Sequence, residues 1–257
     1  MKSAALFAIA CLVLPVGCAH RTAFSGEAGH WRQARQLVLV TTPDWDAERG
    51  LLRRYERTTD GWRELGDALP VVIGRSGSAW GLGLHDSGHP GPVKREGDGR
   101  SPAGVFGIGE AFGYAPAADT ALPYAAMQAS NYCVDVSGSP LYNRIVDADT
   151  VGAAAVAQAT EPMRRDLHAD GDQRYRLGFV IEHNMQAQPM AGSCIFAHLW
   201  KSQADPTTGC TAMAPAAMDA ILGWLRPELD PVFVLLPIAE YTRLRSGWDL
   251  PVIDTGD

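Results

Sequence analysis

The chain has 257 residues, of which 46% are hydrophobic and 20% charged, and its formal net charge is -7. This composition is typical of one globular domain with a sizeable core and excludes a disordered or fibrous chain. A net negative charge without a basic stripe also argues against nucleic acid as a partner.

The first eighteen residues have the pattern of an export signal. Lys2 precedes an apolar run from Ala4 to Val16, which is shorter than the roughly 20 residues of a membrane-spanning helix but suits the apolar part of a signal peptide. The run ends in Gly17-Cys18, which resembles the lipobox of bacterial lipoproteins. We predict a signal peptide at 1–18, lipidation of Cys18, and a lipid-anchored protein of the periplasm or cell envelope. Ordinary cleavage near Ala19 is the alternative.

The next segment leads into a β-rich domain. Residues 19–35 are polar and mixed, so we expect a linker, followed by one domain at 36–257. The β-branched run 36–41 predicts a first strand, and 51–58 predicts a second strand that forms a hairpin with it. A third strand is expected at 69–77, where it ends in glycines.

A long stretch rich in glycine and proline follows, from Trp80 to Pro116. It lacks the GxxxxGK[ST] pattern and no helix opens behind its glycines, which argues against a phosphate-binding loop. The run 103–109 is the strand expected within it. His85 and His89 are expected to be exposed to solvent.

The second half of the chain alternates helical and apolar segments. Continuous rather than alternating apolarity predicts central strands, and Pro215 suits the first turn of a helix. The expected elements are a helix at 150–167, strands at 176–184 and 193–200, a helix at 214–225, a strand at 231–237 and a short helix at 238–245. The pattern predicts a mainly β domain with a few helices, of the α+β class.

A histidine and a cysteine flank the loop behind the strand at 193–200. Residues two apart share one side of a strand, so Cys194, Phe196 and His198 are expected to point the same way. Cys194 would lie roughly 13 Å from His198 at about 3.3 Å per residue. One zinc ion, with ligands at about 2.0 to 2.3 Å, cannot bind both, and we expect no metal.

The loop 201–208 can reverse the chain and bring Cys210 beside His198. Gly209 permits a close backbone approach there. If Cys210 stands at the entrance of the helix from Ala214, the helix dipole and the imidazole would lower the pKa of its thiol. The amides of Gly209 and Cys210 would then be natural donors to an oxyanion.

The cysteine count separates one thiol from the others. Cys11 and Cys18 belong to the export segment, which leaves Cys133, Cys194 and Cys210. An odd number in an exported protein suggests one disulfide and one free thiol. Since only Cys210 has a histidine at a spacing that suggests activation, we expect Cys133 and Cys194 to pair. Two buried free thiols are the alternative.

His198 and the run Thr207-Thr208-Gly209-Cys210 resemble the signature of the L,D-transpeptidases with a YkuD-type catalytic domain. That signature is a strand histidine, a variable loop, and then Ser-(His/Asn)-Gly-Cys-(Ile/Val)-Arg. The segment 98–109, DGRSPAGVFGIG, is similar to the TPxGxF strand of the same family. The resemblance covers about 36–237, which is nearly all of the predicted domain.

The resemblance implies a family-like β fold and cysteine-dependent acyl transfer on peptidoglycan stem peptides, without a cofactor. His198 would take the proton of Cys210, and the thiolate would attack the carbonyl of an L-centre residue. A terminal D-residue would leave, and the acyl group would pass to an amine. Gly209 would shape the catalytic turn, with Thr207 and Thr208 as candidate substrate contacts beside it.

His183, on the strand before the catalytic one, is a further candidate substrate contact. A core position or one behind the substrate site is the alternative interpretation of this histidine, since it shares its predicted strand with Phe179 and Ile181.

Several positions depart from the signature and keep other functions open. Leu199 replaces the common glycine after the histidine, and Thr211-Ala212 replaces the apolar residue and arginine after the cysteine, which indicates a divergent branch. An L,D-carboxypeptidase or another hydrolase could use the same site. A non-catalytic wall-binding lipoprotein is a second class. Glu96 and Asp98 could be the carboxylate pair of a glycosidase, but their context favours an exposed turn.

Overall fold

The computed structural model describes residues 30–253. This part of the chain is mainly β with a few helices, which confirms the predicted class. The helices are α1 (Ala148–Val151), α2 (Ala153–Val156), α3 (Arg165–His168), α4 (Pro215–Leu222) and α5 (Ile238–Leu244), with single 3-10 turns at His30–Gln33, Arg174–Arg176 and Pro227–Leu229. The strands are β1 (Gln36–Thr42), β2 (Arg49–Thr58), β3 (Gly61–Glu64), β4 (Leu69–Val72), β5 (Ser78–Trp80), β6 (Ser101–Gly113), β7 (Tyr124–Ala126), β8 (Asn131–Cys133), β9 (Ile145–Asp147), β10 (Glu161–Pro162), β11 (Leu177–Ile181), β12 (Phe196–Leu199), β13 (Thr211–Met213) and β14 (Val232–Pro237).

Eight strands close into a barrel-like sheet. Their order is β1-β14-β6-β11-β12-β13-β4-β2, and β2 pairs again with β1. Closure gives each of these strands two neighbours, so their backbone groups are paired on both sides. The predicted hairpin of β1 and β2 is present as one antiparallel pair of this ring.

The most apolar strands lie where the sheet is covered on both sides. Every residue of β1 and of β14 is buried, which explains their unbroken runs of apolar side chains. Trp31 is also buried and packs edge-on against Trp248 with ring centroids 5.7 Å apart. The folded domain therefore already includes Trp31, which lies inside the segment predicted as a linker.

β12 is a central strand, as its sequence predicted. It runs antiparallel to β11 and parallel to β13, with His198 opposite Ala212. Its two sides enter different apolar clusters: Ala197 and Leu199 belong to the main core, whereas Phe196 belongs to a second, smaller cluster.

Residues 127–176, which we call the cap, cover the second cluster. They carry a separate sheet of order β10-β8-β9 and the helices α1 to α3. Side chains of the cap meet side chains of the barrel in this cluster, whose buried members are Phe112, Met127, Cys133, Met163, Tyr175, Cys194, Phe196 and Cys210.

The predicted helix at 150–167 is wrong. Two single turns, α1 and α2, replace its first part, and Glu161–Pro162 is a strand of the cap. Gly152 separates the two turns with φ 89°, a left-handed value that a continuing right-handed helix cannot contain. The composition of this segment favoured a helix. Neither turn, however, buries an apolar stripe that is long enough to stabilise a helix.

Within residues 30–253, none of the helices is both long and apolar enough to cross a membrane. The predicted signal peptide and Cys18 lie outside the described residues.

Candidate functional site

Two of the three domain cysteines are bridged and the third is not. Cys133 and Cys194 form a disulfide with Cα atoms 5.9 Å apart, the pair expected from the sequence. Cys210 is the free cysteine of the described residues and is buried. The disulfide joins β8 of the cap to the segment that leads into β12, and so ties the cap to the strand that carries His198.

Cys210 does not stand at the entrance of a helix. The strand β13 begins at the next residue, Thr211, and α4 follows only at Pro215. The expected assistance from a helix dipole is therefore absent at this thiol. This short strand could not be predicted from the sequence, because three residues are too few for a periodic pattern.

The thiol of Cys210 is held among backbone groups. Its Sγ accepts a hydrogen bond from the Phe196 N–H at 3.4 Å, and its S–H donates to the Cys194 carbonyl oxygen at 3.6 Å. Tyr175 belongs to the same buried cluster as the thiol. Burial, and then the charge of Glu161, raise the pKa of Cys210 to about 12, which is opposite to the expected direction. The resting cysteine is therefore a protonated thiol.

The turn before Cys210 is fixed by side-chain hydroxyls. Thr207 Oγ1 accepts from the Gly209 N–H at 3.1 Å and donates to the Cys210 carbonyl at 2.6 Å. Ser101 Oγ donates to the same carbonyl at 2.9 Å. A Cβ on Gly209 would lie 3.2 Å from the Arg100 carbonyl oxygen, so the turn favours glycine. Since the Gly209 N–H already has a partner, it is not the oxyanion donor that we expected.

Thr207 and Thr208 have different surroundings. Thr207 is buried and makes the two hydrogen bonds of the turn, whereas Thr208 is exposed. Thr207 therefore holds the turn, and Thr208 remains a candidate for substrate contact.

His198 is buried and neutral. Its Nδ1 lies 2.8 Å from the Leu199 carbonyl oxygen, so Nδ1 carries the proton and Nε2 keeps a lone pair. Burial, and then the charges of Arg174 and Arg165, lower the pKa of His198 to about 4. This is the tautomer that a general base needs, and a carbonyl fixes it without a carboxylate.

His198 of β12 is opposite Ala212 of the parallel strand β13, and Cys210 immediately precedes that strand. Strand spacing and rise, continued by one residue to Cys210, would put the two Cα atoms about 8 Å apart. Tyr175 of the cap packs edge-on against the imidazole with ring centroids 5.1 Å apart. It also belongs to the buried cluster that contains Cys210, and sequence reasoning missed it.

Four charged side chains of the cap surround Tyr175. Arg165 pairs with Glu161 and with Asp172 at 2.9 Å each, and Arg174 pairs with Asp172. Burial raises the pKa of the Glu161 carboxyl, although Arg165 opposes the rise. Burial also acts to raise the pKa of Asp172, but hydrogen bonds from Arg174 and Arg165 outweigh it and hold that pKa below its usual range. Spacing in the sequence did not indicate this cluster, because it assembles around a 3-10 turn and a two-residue strand.

His183 occupies a core position. Its Nδ1 accepts from the Leu82 N–H at 3.2 Å, and its Nε2 donates to the Ala191 carbonyl at 2.9 Å. Both ring nitrogens thus serve the backbone, and burial lowers the pKa of His183 to about 4. This environment fits the core alternative better than a substrate contact.

The glycine-rich stretch is more ordered than its composition indicated. Glu96 accepts hydrogen bonds from Tyr142 and, at 2.7 Å, from Ser193. Asp98 pairs with the buried Lys94 at 2.6 Å. The expected turn is present at Glu96–Gly97, but Glu96 and Asp98 are half-buried rather than exposed, and both carboxylates are used in structural bonds.

The two histidines of this stretch are not solvated side chains. His85 lies 5.7 Å from Trp80 and 5.8 Å from Phe106, and His89 lies 4.8 Å from Trp80, measured between ring centroids. Both rings belong to an aromatic cluster that also contains Trp248, and Gly104 leaves the space that the His85 ring occupies.

Within the part of the chain that the structure describes, no group of three or more His, Cys, Asp or Glu side chains could hold a metal ion. No model of a known protein family, no curated protein and no solved structure matches this chain. The resemblance to L,D-transpeptidases thus rests on the sequence motifs alone.

Proposed function

We propose that this protein is a cysteine acyltransferase of the L,D-transpeptidase type that acts on peptidoglycan stem peptides in the cell envelope. The observation that carries the proposal is the position of the free thiol of Cys210 diagonally across parallel strands from His198, whose Nε2 lone pair is available. A thiol with a neutral imidazole within side-chain reach is the arrangement that acyl transfer through cysteine requires.

The mechanism follows from these positions. His198 takes the thiol proton at Nε2, and the sulfur attacks the carbonyl of the stem peptide to give an acyl-enzyme. The terminal D-residue leaves as an amine and takes a proton from His198. An amine of a second stem then attacks the thioester, its proton passes to His198, and Cys210 regains its thiol.

The cap must move for this chemistry, since Cys210 is 7% exposed and His198 4%. Opening would lower the burial that raises the pKa of the thiol. A site that is closed to water before and after acylation also favours transfer to an amine over hydrolysis.

One observation favours a non-catalytic envelope-binding protein as the second candidate. A buried thiol with a pKa of about 12 behaves as an inert core residue while the cap stays closed. In that case the fold would bind the cell wall without turnover.

Incubation of the purified protein with disaccharide-tetrapeptide muropeptides, followed by mass spectrometry, tests the proposal. Wild type should release the terminal D-residue and form cross-linked dimers, and Cys210→Ala and His198→Ala should do neither while keeping the wild-type circular dichroism spectrum. Release without dimers would assign a carboxypeptidase. Turnover by Cys210→Ala would refute the mechanism, and binding without any turnover by wild type would favour the second candidate.

A further inference from the structure

The carbonyl group of Cys210 is bound by two buried hydroxyls from different parts of the barrel. Ser101, at the start of β6, donates to this carbonyl at 2.9 Å, and Thr207 donates to it at 2.6 Å. A carbonyl oxygen has two lone pairs, so the two donors match its capacity to accept. We call Ser101 and Thr207 the carbonyl clamp.

The direction of both hydrogen bonds follows from the backbone around them. Ser101 Oγ accepts from the Gly74 N–H at 2.9 Å, and Thr207 Oγ1 accepts from the Gly209 N–H at 3.1 Å. A backbone N–H can only donate, so the single proton of each hydroxyl is left for the Cys210 carbonyl. Ser101 is 1% exposed and Thr207 7%, so both bonds are made away from water, where a hydrogen bond is stronger.

Ser101 is itself held in place by its neighbours. Its N–H donates to the Gly77 carbonyl at 2.9 Å, and Pro102 after it restricts its backbone to extended conformations. Gly74 reaches the hydroxyl because it lacks a side chain, since a Cβ there would lie 2.3 Å from a backbone carbonyl oxygen. The start of β6 therefore presents a preformed donor to Cys210.

The carbonyl clamp and its two backbone donors, Gly74 and Gly209, all lie outside the cap. The Phe196 N–H, which donates to the sulfur at 3.4 Å, also belongs to the barrel. Movement of the cap, which the proposed function requires, therefore leaves these bonds in place. After opening, the position of the thiol relative to β12 depends on the barrel alone.

We propose that Ser101 is a positioning residue for Cys210: together with Thr207 it fixes the Cys210 peptide group, so that the thiol keeps its place relative to His198 while the cap opens. The inference rests on the proposed function, because it concerns the attack of the sulfur in that reaction. Both hydroxyls act through the backbone, and neither takes part in proton transfer. Such positioning matters for rate, since a misplacement of about 1 Å can cost about 100-fold.

The kinetics of D-residue release from disaccharide-tetrapeptide muropeptides test this role on the full-length protein. Ser101→Ala should lower kcat about tenfold and leave KM within about twofold, because the attack by sulfur is impaired and substrate binding is not. Thr207→Val keeps the shape of the side chain and removes its hydroxyl, so it should have the same effect. Thr207→Ser keeps the hydroxyl and should retain most of the wild-type kcat.

A double variant and a matched control separate positioning from general damage. Ser101→Ala/Thr207→Val should lose more than the product of the two single losses, because either hydroxyl alone still holds the carbonyl. The control is Ser78→Ala. Ser78 lies opposite Ser101 on β5 and is buried, and its hydroxyl has no hydrogen-bond partner among the described residues. Its removal should leave kcat unchanged.

The carbonyl carbon of Cys210 reports on the clamp without turnover. In protein labelled with ¹³C at the cysteine carbonyls, the signal that disappears in Cys210→Ala belongs to this residue. Loss of a hydrogen bond to the carbonyl oxygen should move that signal upfield in Ser101→Ala and in Thr207→Val. Ser78→Ala should leave it in place.

The positioning role is overturned if Ser101→Ala turns over as wild type does, if KM rises while kcat is kept, or if Thr207→Ser loses as much kcat as Thr207→Val. An unchanged carbonyl signal in Ser101→Ala would overturn the clamp itself. If Ser101→Ala does not fold, the two Thr207 variants decide whether hydroxyl bonds to this carbonyl set kcat.

Failure of the positioning role and failure of the proposed function give different results. Absence of turnover by wild type would overturn the proposed function, and the positioning role with it. Turnover that is lost in Cys210→Ala but kept in Ser101→Ala and in Thr207→Val would overturn the positioning role alone.

Discussion

The ring of Tyr175 meets the imidazole of His198 at an interplanar angle of 67°, with centroids 5.1 Å apart, and Tyr175 lies in the same buried cluster as Cys210. A single residue of the cap therefore packs beside both members of the expected catalytic pair. The barrel carries the proposed nucleophile and base, and the cap covers them.

The thiol of the folded protein should react slowly. Because burial raises the pKa of Cys210 to about 12, its alkylation by iodoacetamide at about pH 7 should be at least about 100-fold slower than that of the unfolded protein, whose thiol has a pKa near 8.5. Peptide mass spectrometry after timed quenching measures both rates. A native rate equal to the unfolded one would show that the cap is open most of the time.

The disulfide should contribute strongly to stability. It closes a loop with a sequence separation of 61 residues, for which chain entropy gives about 4 kcal/mol. The double variant Cys133→Ala/Cys194→Ala should lose about that free energy of unfolding in urea titration. Cys210→Ala, which removes a buried sulfur without a bridge, should lose about 1 kcal/mol. Alkylation of both cysteines in unfolded, unreduced protein would contradict the pairing.

Gly104 of β6 should not tolerate a side chain. A Cβ there would lie 2.0 Å from the His85 ring, and the residue has φ 130°, so Gly104→Ala should cost about 3 kcal/mol from steric clash and backbone strain. Gly138→Ala is the matched control, since its φ is 89° and its Cβ would meet no atom within 4 Å. It should cost about 1 kcal/mol, and equal losses in thermal unfolding would contradict the packing.

His183 should make the fold sensitive to acid. Its folded pKa of about 4 lies below the ordinary 6.5, so the neutral form is favoured by folding. Its contribution is fully present above about pH 6.5 and is lost as pH falls towards 4, by about 3 kcal/mol at most. Unfolding free energies of wild type and His183→Gln should therefore converge over that interval. A constant difference would show that His183 does not titrate on unfolding.

Lipidation of Cys18 remains a prediction from the sequence. Radiolabelled palmitate should enter wild type and not Cys18→Ala when both are expressed in a bacterium. Absence of label from wild type, together with a mature N-terminus near Ala19, would indicate a secreted protein without an anchor.

The sequence by itself determined the β class, the disulfide partners and the order of the motifs. Unbroken apolar runs predicted the central strands β12 and β14, because strands covered on both sides need no polar side chains. The odd cysteine count and the histidine spacing singled out Cys210. These signals are local in the chain, so they can be recognised without knowing what packs against them.

Only the tertiary structure decided which groups of the candidate site carry charge and which residues bury it. A lowered thiol pKa was expected from a helix that proved to begin after β13, and the actual pKa depends on burial beneath the cap. Tyr175, Glu161 and Arg165 carry no motif, since they come together beside His198 from short elements of the cap that are distant from it in sequence. Burial and charge pairing arise from the whole fold, and for that reason they cannot be inferred from residue spacing alone.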